Sequence, residues 1–347
     1  MKILFLVRRF WPEIGGVEKH SLEVGKRLVK RGHKVTVVTE SIKNQELSIK
    51  GKEVIDGIKI FRIPVTVGEK CKKIQIWLWL LKHRELIEKA DIVHCHDVFF
   101  WFLPFRFLYP TRKVFTTWHG WEGIYPPKLK AKIIRKISEK LSTGNICVGD
   151  YLRKWYRTKP DQVTYGGVEL MQNAKIKNQN DNTKFKKIVY VGRLEEDTGL
   201  PIYLEALKML KEKGVEFEVR FLGEGEWRNE AKKFGEVVGL VEDVKKYVKE
   251  ARYVFTSGYL SILEAMRGRR LVFAVYDNPL KKDYLLLSPF ASILAVAGGA
   301  EDLAKEVWYY FNQPEEEKKI VSAAWQWAKD QTWEKVTEIY LRLWQKK

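Results

Sequence analysis

The chain has 347 residues, 45% hydrophobic and 31% charged, which excludes a disordered chain and points to about two globular domains. No run reaches the roughly 18 uninterrupted apolar residues that span a bilayer, and three scattered cysteines (Cys71, Cys95 and Cys147) exclude a disulfide framework and favour a reducing cytoplasm. The 63 Lys and Arg against 44 Asp and Glu give a formal charge of +19, which fits nucleic acid, an anionic membrane surface or a phosphorylated small molecule, and equally a thermophile's charge excess. Aromatic content of 13%, with 13 Trp, shifts weight toward membrane or sugar contact.

Lys2 to Val7 is apolar and meets Arg8-Arg9 with no small-residue cleavage site; it reads as a first buried strand, not a signal peptide. Gly15-Gly16 opens a helix from Val17 to about Lys30, with Leu22, Gly25, Leu28 and Val29 as its apolar stripe, and Lys34 to Thr39 is the second strand. The segment is the size of a βαβ repeat, and two glycines at a helix start let backbone amides approach a ligand. The full dinucleotide fingerprint is absent, so a plain tight turn explains the pair equally well.

Lys59 to Ile63 is a strand ended by Pro64, and Ile74 to Leu86 a helix carrying Trp77 and Trp79. Asp91 to Asp97 is a strand running into a loop. His94, Cys95 and His96 invite a metal reading, but neighbours on a strand alternate faces and no matching ligand set follows, so no metal is expected. The run Phe99 to Tyr109 is expected to be core helix for most of its length and lipid contact for part, given Arg106, Arg112 and Lys113 beside it. Val114 to Thr117 is a strand running into Trp118-His119-Gly120, where α/β sites lie. Ile146 to Val148, the basic aromatic helix Tyr151 to Tyr156, and Val163 to Val168 complete the first half. The polar, Asn-rich stretch Glu169 to Lys187 reads as a linker.

A second series then begins: strand Ile188 to Val191, loop Gly192-Arg193-Leu194, helix Leu200 to Lys211, strand Phe217 to Phe221 and turn Gly223-Glu224-Gly225. Shorter elements follow at Glu230 to Phe234, Val237 to Gly239 and Asp243 to Glu250. Strand Tyr253 to Phe255, a helix of about ten residues ended by Gly268, and strand Leu271 to Val275 come next. Ser257 is the expected N-cap of that helix, leaving the amides of Tyr259, Leu260 and Ser261 at the carboxyl end of a strand, a setting that suits phosphate. Glu264, the helix's one acid, is placed either to accept from sugar hydroxyls or to sit solvated. Late helices are expected at Ala300 to Asn312, Pro314 to Lys329 and Trp333 to Gln345. The architecture is α/β: two Rossmann-like doubly wound domains facing a cleft, with 1–168 and 188–332 as domains and 169–187 as linker.

Taken in order, several phrases resemble glycosyltransferase family four, the retaining GT-B glycosyltransferases also grouped as glycosyl transferase group 1. They are Ile14-Gly15-Gly16-Val17-Glu18, Arg31 to Thr39, Asp91 to His96, Thr117-Trp118-His119-Gly120 and Val191-Gly192-Arg193-Leu194. Leu222 to Gly225, Gly239 to Asp243 and Leu263-Glu264-Ala265-Met266 follow in the same order. The resemblance implies a metal-independent enzyme with no cofactor, moving a sugar from a nucleotide-sugar co-substrate to a glycan or lipid-linked acceptor. It implies that Gly15 and Gly16 border the donor phosphates and acceptor, and that His119 lies beside the transferred sugar. It further implies that Arg193 and the amides of Leu260 and Ser261 hold the diphosphate, that Glu264 binds the ribose, and that Gly223 to Gly225 with Leu240 and Val241 border the base. The family's last helix returns to the N-terminal domain, so 333–347 is expected to cross back.

Two positions depart from the family pattern. Thr198 stands where the family usually has Lys, five residues after the Arg, and Thr256 where it often has a second Glu, eight residues before Glu264. Losing a diphosphate cation costs a few kcal/mol of transition-state stabilisation. The alternative reading is therefore a catalytically degenerate GT-B protein that binds a glycan, nucleotide or membrane. No nucleic-acid module is visible and no nucleic-acid partner is expected. The expected location is cytoplasmic, with peripheral attachment to the inner membrane face held open against the thermophile explanation of the charge.

Overall fold

The computed structural model describes residues 1–41, 53–65, 69–169 and 186–345, so the linker assigned to 169–187 lies almost wholly outside the described residues. The chain divides into two compact units, Met1–Thr164 with Trp333–Lys347, and Tyr165–Thr332.

In the first unit the described strands are β1 (Lys2–Val7), β2 (Lys34–Glu40), β3 (Glu53–Ile55), β4 (Ile58–Ile63), β5 (Ile92–His96), β6 (Val114–Trp118), β7 (Gly144–Val148) and β8 (Gln162–Thr164). They form one sheet in the order β3-β4-β2-β1-β5-β6-β7-β8, parallel except for β3 against β4. The helices between them are α1 (Gly16–Lys30), α2 (Glu69–Lys82), α3 (Glu85–Glu88), α4 (Phe99–Leu108), α5 (Leu129–Leu141) and α6 (Tyr151–Tyr156). Helices cover both faces of the sheet, so β1, β5, β6 and β7 are buried almost throughout; β1 is continuously apolar after Lys2, whereas β5, β6 and β7 also bury His94, His96, Thr116, Thr117 and Asn145. The chain moves one way along the sheet through α1 and the other way through α4 and α5. Right-handed crossovers then place α1 on one face and α4 and α5 on the other, and α4 packs between α2 and α5.

The second unit holds β9 (Lys186–Val191), α7 (Leu200–Glu212), β10 (Phe217–Leu222), α8 (Arg228–Lys232), β11 (Glu236–Gly239), α9 (Lys245–Glu250), β12 (Tyr253–Phe255), α10 (Tyr259–Arg267), β13 (Leu271–Val275), α11 (Pro279–Leu286), β14 (Ala295–Ala297), α12 (Ala300–Asn312) and α13 (Pro314–Ala328). Its described strands form an all-parallel sheet in the order β11-β10-β9-β12-β13-β14. The core is aromatic: Tyr203 stacks on Phe255, and Tyr190 packs edge-on to Tyr203. The last helix, α14 (Trp333–Trp344), belongs to the first unit and packs along α1.

Several local features differ from the sequence expectation. The helix expected over Ile74 to Leu86 stops at Lys82 and α3 follows as a separate turn. β3 turns into β4 through Asp56-Gly57, both at positive φ, the arrangement of a two-residue hairpin. α5 and α11 are further helices with no counterpart in the sequence reading, although Asn278 caps α11 by accepting the Lys281 N–H at 3.0 Å just ahead of Pro279. No helix among the described residues is long and apolar enough to cross a membrane.

Candidate functional site

In each unit the candidate residues gather at the carboxyl edge of the sheet, where parallel strands hand over to loops and helix N-termini. Gly15 is the N-cap of α1, directly after the loop that follows β1. A methyl group there would run into the Glu18 carboxylate, which curls back over the helix start, whereas a Cβ at Gly16 meets nothing within 4 Å. Space for a ligand therefore opens above Gly16. The Glu18 side chain sits beside it as an internal anion, its pKa raised mainly by burial.

His119 follows β6. Its backbone N–H donates to Asp97 Oδ1 at 2.9 Å, its Nε2 lies 2.9 Å from His96 Nδ1, and its ring meets His20 of α1 edge-on at 4.7 Å. Burial lowers its pKa to about 3, with His94 adding to the effect. The ring is neutral near pH 7 and works as a hydrogen-bonding group, not as a cation.

Behind His119 the directions of a buried hydrogen-bond chain are fixed by its first donor. The Trp344 indole N–H, which can only donate, reaches His94 Nδ1 at 3.0 Å. Neutral His94 must then carry its proton on Nε2 and donate to Thr117 Oγ1 at 2.7 Å. The Thr117 hydroxyl turns to Tyr340 OH at 2.9 Å, and Tyr340 donates to His20 Nε2 at 3.0 Å. Helix α14 thus supplies Tyr340 and Trp344 to hold two of the histidines around His119. The sequence reading passes over both, and over His20. Their signal is spacing: Tyr340 and Trp344 lie one turn apart on α14, and His20 one turn into α1.

His94 has both ring nitrogens bonded to protein, as just described, so the adjacent His94 and His96 do not act as a ligand pair. Among the described residues no group of three or more His, Cys, Asp or Glu is arranged to hold a metal ion.

In the second unit Arg193 follows β9, and α10 follows the adjacent strand β12. Arg193 is largely exposed and paired with Asp197, Nη2 to Oδ2 at 2.8 Å. Thr198 Oγ1 lies 2.9 Å from Tyr190 OH and donates within its own loop to the Arg193 carbonyl. Thr256 Oγ1, fully buried, donates to the Val191 carbonyl at 2.7 Å and ties the ends of β9 and β12 together. Both departures from the family pattern are therefore absorbed into the scaffold around Arg193.

α10 differs from expectation at its start. Its N-cap is Gly258, not Ser257. The Ser257 hydroxyl instead bridges the backbone of Val275 and meets Tyr203 OH at 2.9 Å. The Tyr259 N–H is already taken by Tyr284 OH at 2.9 Å, beneath two rings stacked 3.9 Å apart. Of the three amides expected to face an anion, that of Tyr259 therefore has a partner within the protein. Glu264, in the second turn, is buried, which removes the solvated alternative.

The turn at Gly223 and Gly225 has a structural explanation of its own. Both sit at large positive φ, and a Cβ on either would strike a backbone carbonyl, of Gly192 and of Leu194 respectively. They let the 223–225 turn lie in backbone contact with the Arg193 loop, Leu194 N–H donating to Glu224 O at 2.9 Å and Gly192 N–H to Leu222 O at 3.1 Å. Leu240 is exposed and Val241 partly so, both after β11 on the same edge.

Residues 14–170 match the family described as Glycosyltransferase Family 4, and residues 171–327 that described as Glycosyl transferases group 1. One human relative, a subunit of phosphatidylinositol N-acetylglucosaminyltransferase, is 32% identical over 94 residues, 26% of this chain and 19% of that protein. The GPI3 subunit of the Saccharomyces cerevisiae phosphatidylinositol N-acetylglucosaminyltransferase is 22% identical over 242 residues, 64% of this chain and 53% of that one. The chain thus spans about half, or less, of the curated relatives it matches. Among solved structures, a glycosyltransferase from Rickettsia africae ESF-5 superposes with a TM-score of 0.73 at 18% identity, covering 100% of this chain and 99% of that one. WaaG, a glycosyltransferase involved in lipopolysaccharide biosynthesis, does so with 0.65 at 14% identity, covering 97% and 99%. At these identities the likeness concerns the fold.

Proposed function

Because the chain belongs to glycosyltransferase family 4 and has the GT-B fold, we propose that it is a retaining, metal-independent transferase, moving a sugar from a nucleotide-sugar donor to a glycan or lipid-linked acceptor. The observation that carries this reading is the meeting of Arg193 and the α10 N-terminus on neighbouring strand ends of one parallel sheet, with buried Glu264 in the second turn of that helix. A guanidinium and two helix-terminal amides suit a diphosphate.

The roles follow from the groups. As the bond from the sugar's anomeric carbon to the diphosphate oxygen breaks, its electron pair leaves with the nucleoside diphosphate. Arg193 and the amides of Leu260 and Ser261 stabilise that developing charge without a metal. The acceptor oxygen bonds the same carbon on the same face, and its proton passes to the departing diphosphate. Glu264 accepts from the donor ribose, Leu240 and Val241 border the base, and neutral His119 hydrogen-bonds a sugar hydroxyl beside Gly15 and Gly16. The names of the human and yeast relatives make an N-acetylglucosaminyl donor and a phosphoinositide-type acceptor the first pair to try.

The test is calorimetric binding to UDP-, GDP- and ADP-sugars with EDTA present, wild type beside Glu264→Ala and Arg193→Ala, followed by NMR assignment of the product anomer. Binding weakened by both substitutions and a product of retained configuration support the reading. A folded protein that binds no nucleotide-sugar ends it. The engagement of Thr198, Thr256 and Asp197 in internal bonds favours a second reading, a GT-B protein that binds without transferring. Donor binding with no turnover across a panel of lipid and glycan acceptors selects it.

A further inference from the structure

Helix α5 is amphipathic the wrong way round. Its buried positions are Arg135 and Ser138, while Leu129, Ile133 and Ile137, spaced one turn apart, are exposed. A helix packed on a sheet normally turns its apolar stripe inward. Here it cannot roll, because the Arg135 guanidinium is held 3.7 Å over the Tyr156 ring and 5.0 Å over Trp118, and bonds to the Gly120 carbonyl and Glu122. The neighbours repeat the theme. α2 buries Ile76 and Leu80 but leaves Ile74, Leu78 and Leu81 exposed, and α4, between α2 and α5, ends in exposed Phe107 and Leu108. Trp77 and Trp79 are engaged within the protein instead, Trp77 donating to the Phe100 carbonyl and Trp79 stacking on His83.

The charge around the stripe has one sign. From Lys128 to Leu141 the segment carries Lys128, Lys130, Lys132, Lys136 and Lys140 besides Arg135, against Glu139 alone, and Glu139 is taken by Lys136 at 2.9 Å. A protruding apolar stripe flanked by lysines matches the boundary between acyl chains and anionic headgroups. A second copy of the chain would set two such basic stripes against each other, which opposes self-association through this face.

We propose that the outer face of α2, α4 and α5 docks on an anionic lipid surface, with Leu129, Ile133 and Ile137 entering the headgroup boundary and the α5 lysines pairing with lipid phosphates. The inference does not rest on the transfer reading, and its test uses no donor or acceptor. The full chain is floated with vesicles of phosphatidylcholine containing roughly one-third phosphatidylglycerol, and with phosphatidylcholine alone, at low and high salt. Wild type is expected to float with the anionic vesicles at low salt and to be released at high salt. The triple variant Leu129→Ser, Ile133→Ser and Ile137→Ser is expected to lose more than about tenfold in partitioning. The pair Lys130→Glu and Lys140→Glu is expected to lose at least about tenfold on anionic vesicles, since each lysine near such a surface contributes about a factor of five. The substituted apolar side chains are exposed, so the unfolding midpoints are expected to match wild type and to keep a lost fold from imitating lost docking. Failure of wild type to float, or a triple variant that floats as well as wild type, overturns the proposal. So does a dimer by light scattering that the triple variant dissolves while neither protein binds vesicles, which would give the face to a second copy.

Discussion

Lowering the pH from 7.5 to 5.5 is expected to destabilise the first unit selectively. His20, His94 and His96 are 0–1% exposed, and burial holds each well below the ordinary value of 6.5, neighbouring histidines adding to the effect. Such a group stays neutral in the fold and takes a proton once the chain opens. Its contribution is fully present above the unfolded value of 6.5 and is lost as the pH falls below it. At pH 5.5 each costs about 1.4 kcal/mol relative to pH 7.5, so the three together cost about 4 kcal/mol. His119 is partly exposed and is left out of the sum. Glu18 and Asp97, the latter raised to about 6, act in the opposite sense, but Asp97 is more than a third exposed and solvent screening keeps its share under about 1 kcal/mol. A net loss of about 3 kcal/mol in a unit of this size lowers its Tm by roughly 10 °C. All six histidines lie between His20 and His119, so the second unit is expected to hold its midpoint. Calorimetric scans at the two pH values should show one transition moving and one standing still. Two transitions that move together, or neither moving by more than about 2 °C, refute the reasoning.

Other outcomes follow from the same geometry. Replacing Asp197 by Asn frees Arg193 from a partly exposed ion pair worth about 0.3–0.5 kcal/mol, so nucleoside-diphosphate affinity measured by calorimetry should rise about twofold. Arg193→Ala should lower it by more than about tenfold. His119 should carry its proton on Nδ1: His96 Nε2 has no partner within the fold, and a buried bare acceptor is less costly than a buried bare N–H, so the His96 Nδ1–H donates. Long-range proton–nitrogen NMR at neutral pH reads the tautomer directly, and an Nε2–H signal from His119 would reverse the assignment. Gly223→Ala drives a methyl group onto the Gly192 carbonyl at positive φ and should destabilise the second unit by about 3 kcal/mol. Gly16→Ala, with open space above it, should leave the Tm unchanged.

The strands were legible in the sequence because a parallel sheet covered on both faces favours apolar runs: β1 and β13 are apolar almost throughout, and β5 and β6 are short apolar stretches interrupted by His94, His96, Thr116 and Thr117. α5 was harder to read because its inward face is built from Arg135 over aromatic rings, an arrangement no hydrophobic periodicity announces. The N-cap of α10 went to Gly258 because Ser257 had a stronger use, bonding both backbone groups of Val275. The candidate residues Arg193, Glu264 and His119 could be located by motif order. What surrounds them could not, since the residues that hold His20 and His94 near His119 come from α14, more than two hundred residues later in the chain.

That distance also orders events during synthesis. The second unit is continuous in sequence and can close as soon as its last strand and helices have emerged. The first unit is begun earliest yet completed last. Until α14 leaves the ribosome, His20 and Thr117 lack Tyr340, and His94 lacks its indole partner. The nascent chain therefore carries an unsealed N-terminal sheet through the whole translation of the second unit, and any pause or early stop before Trp333 leaves that sheet open.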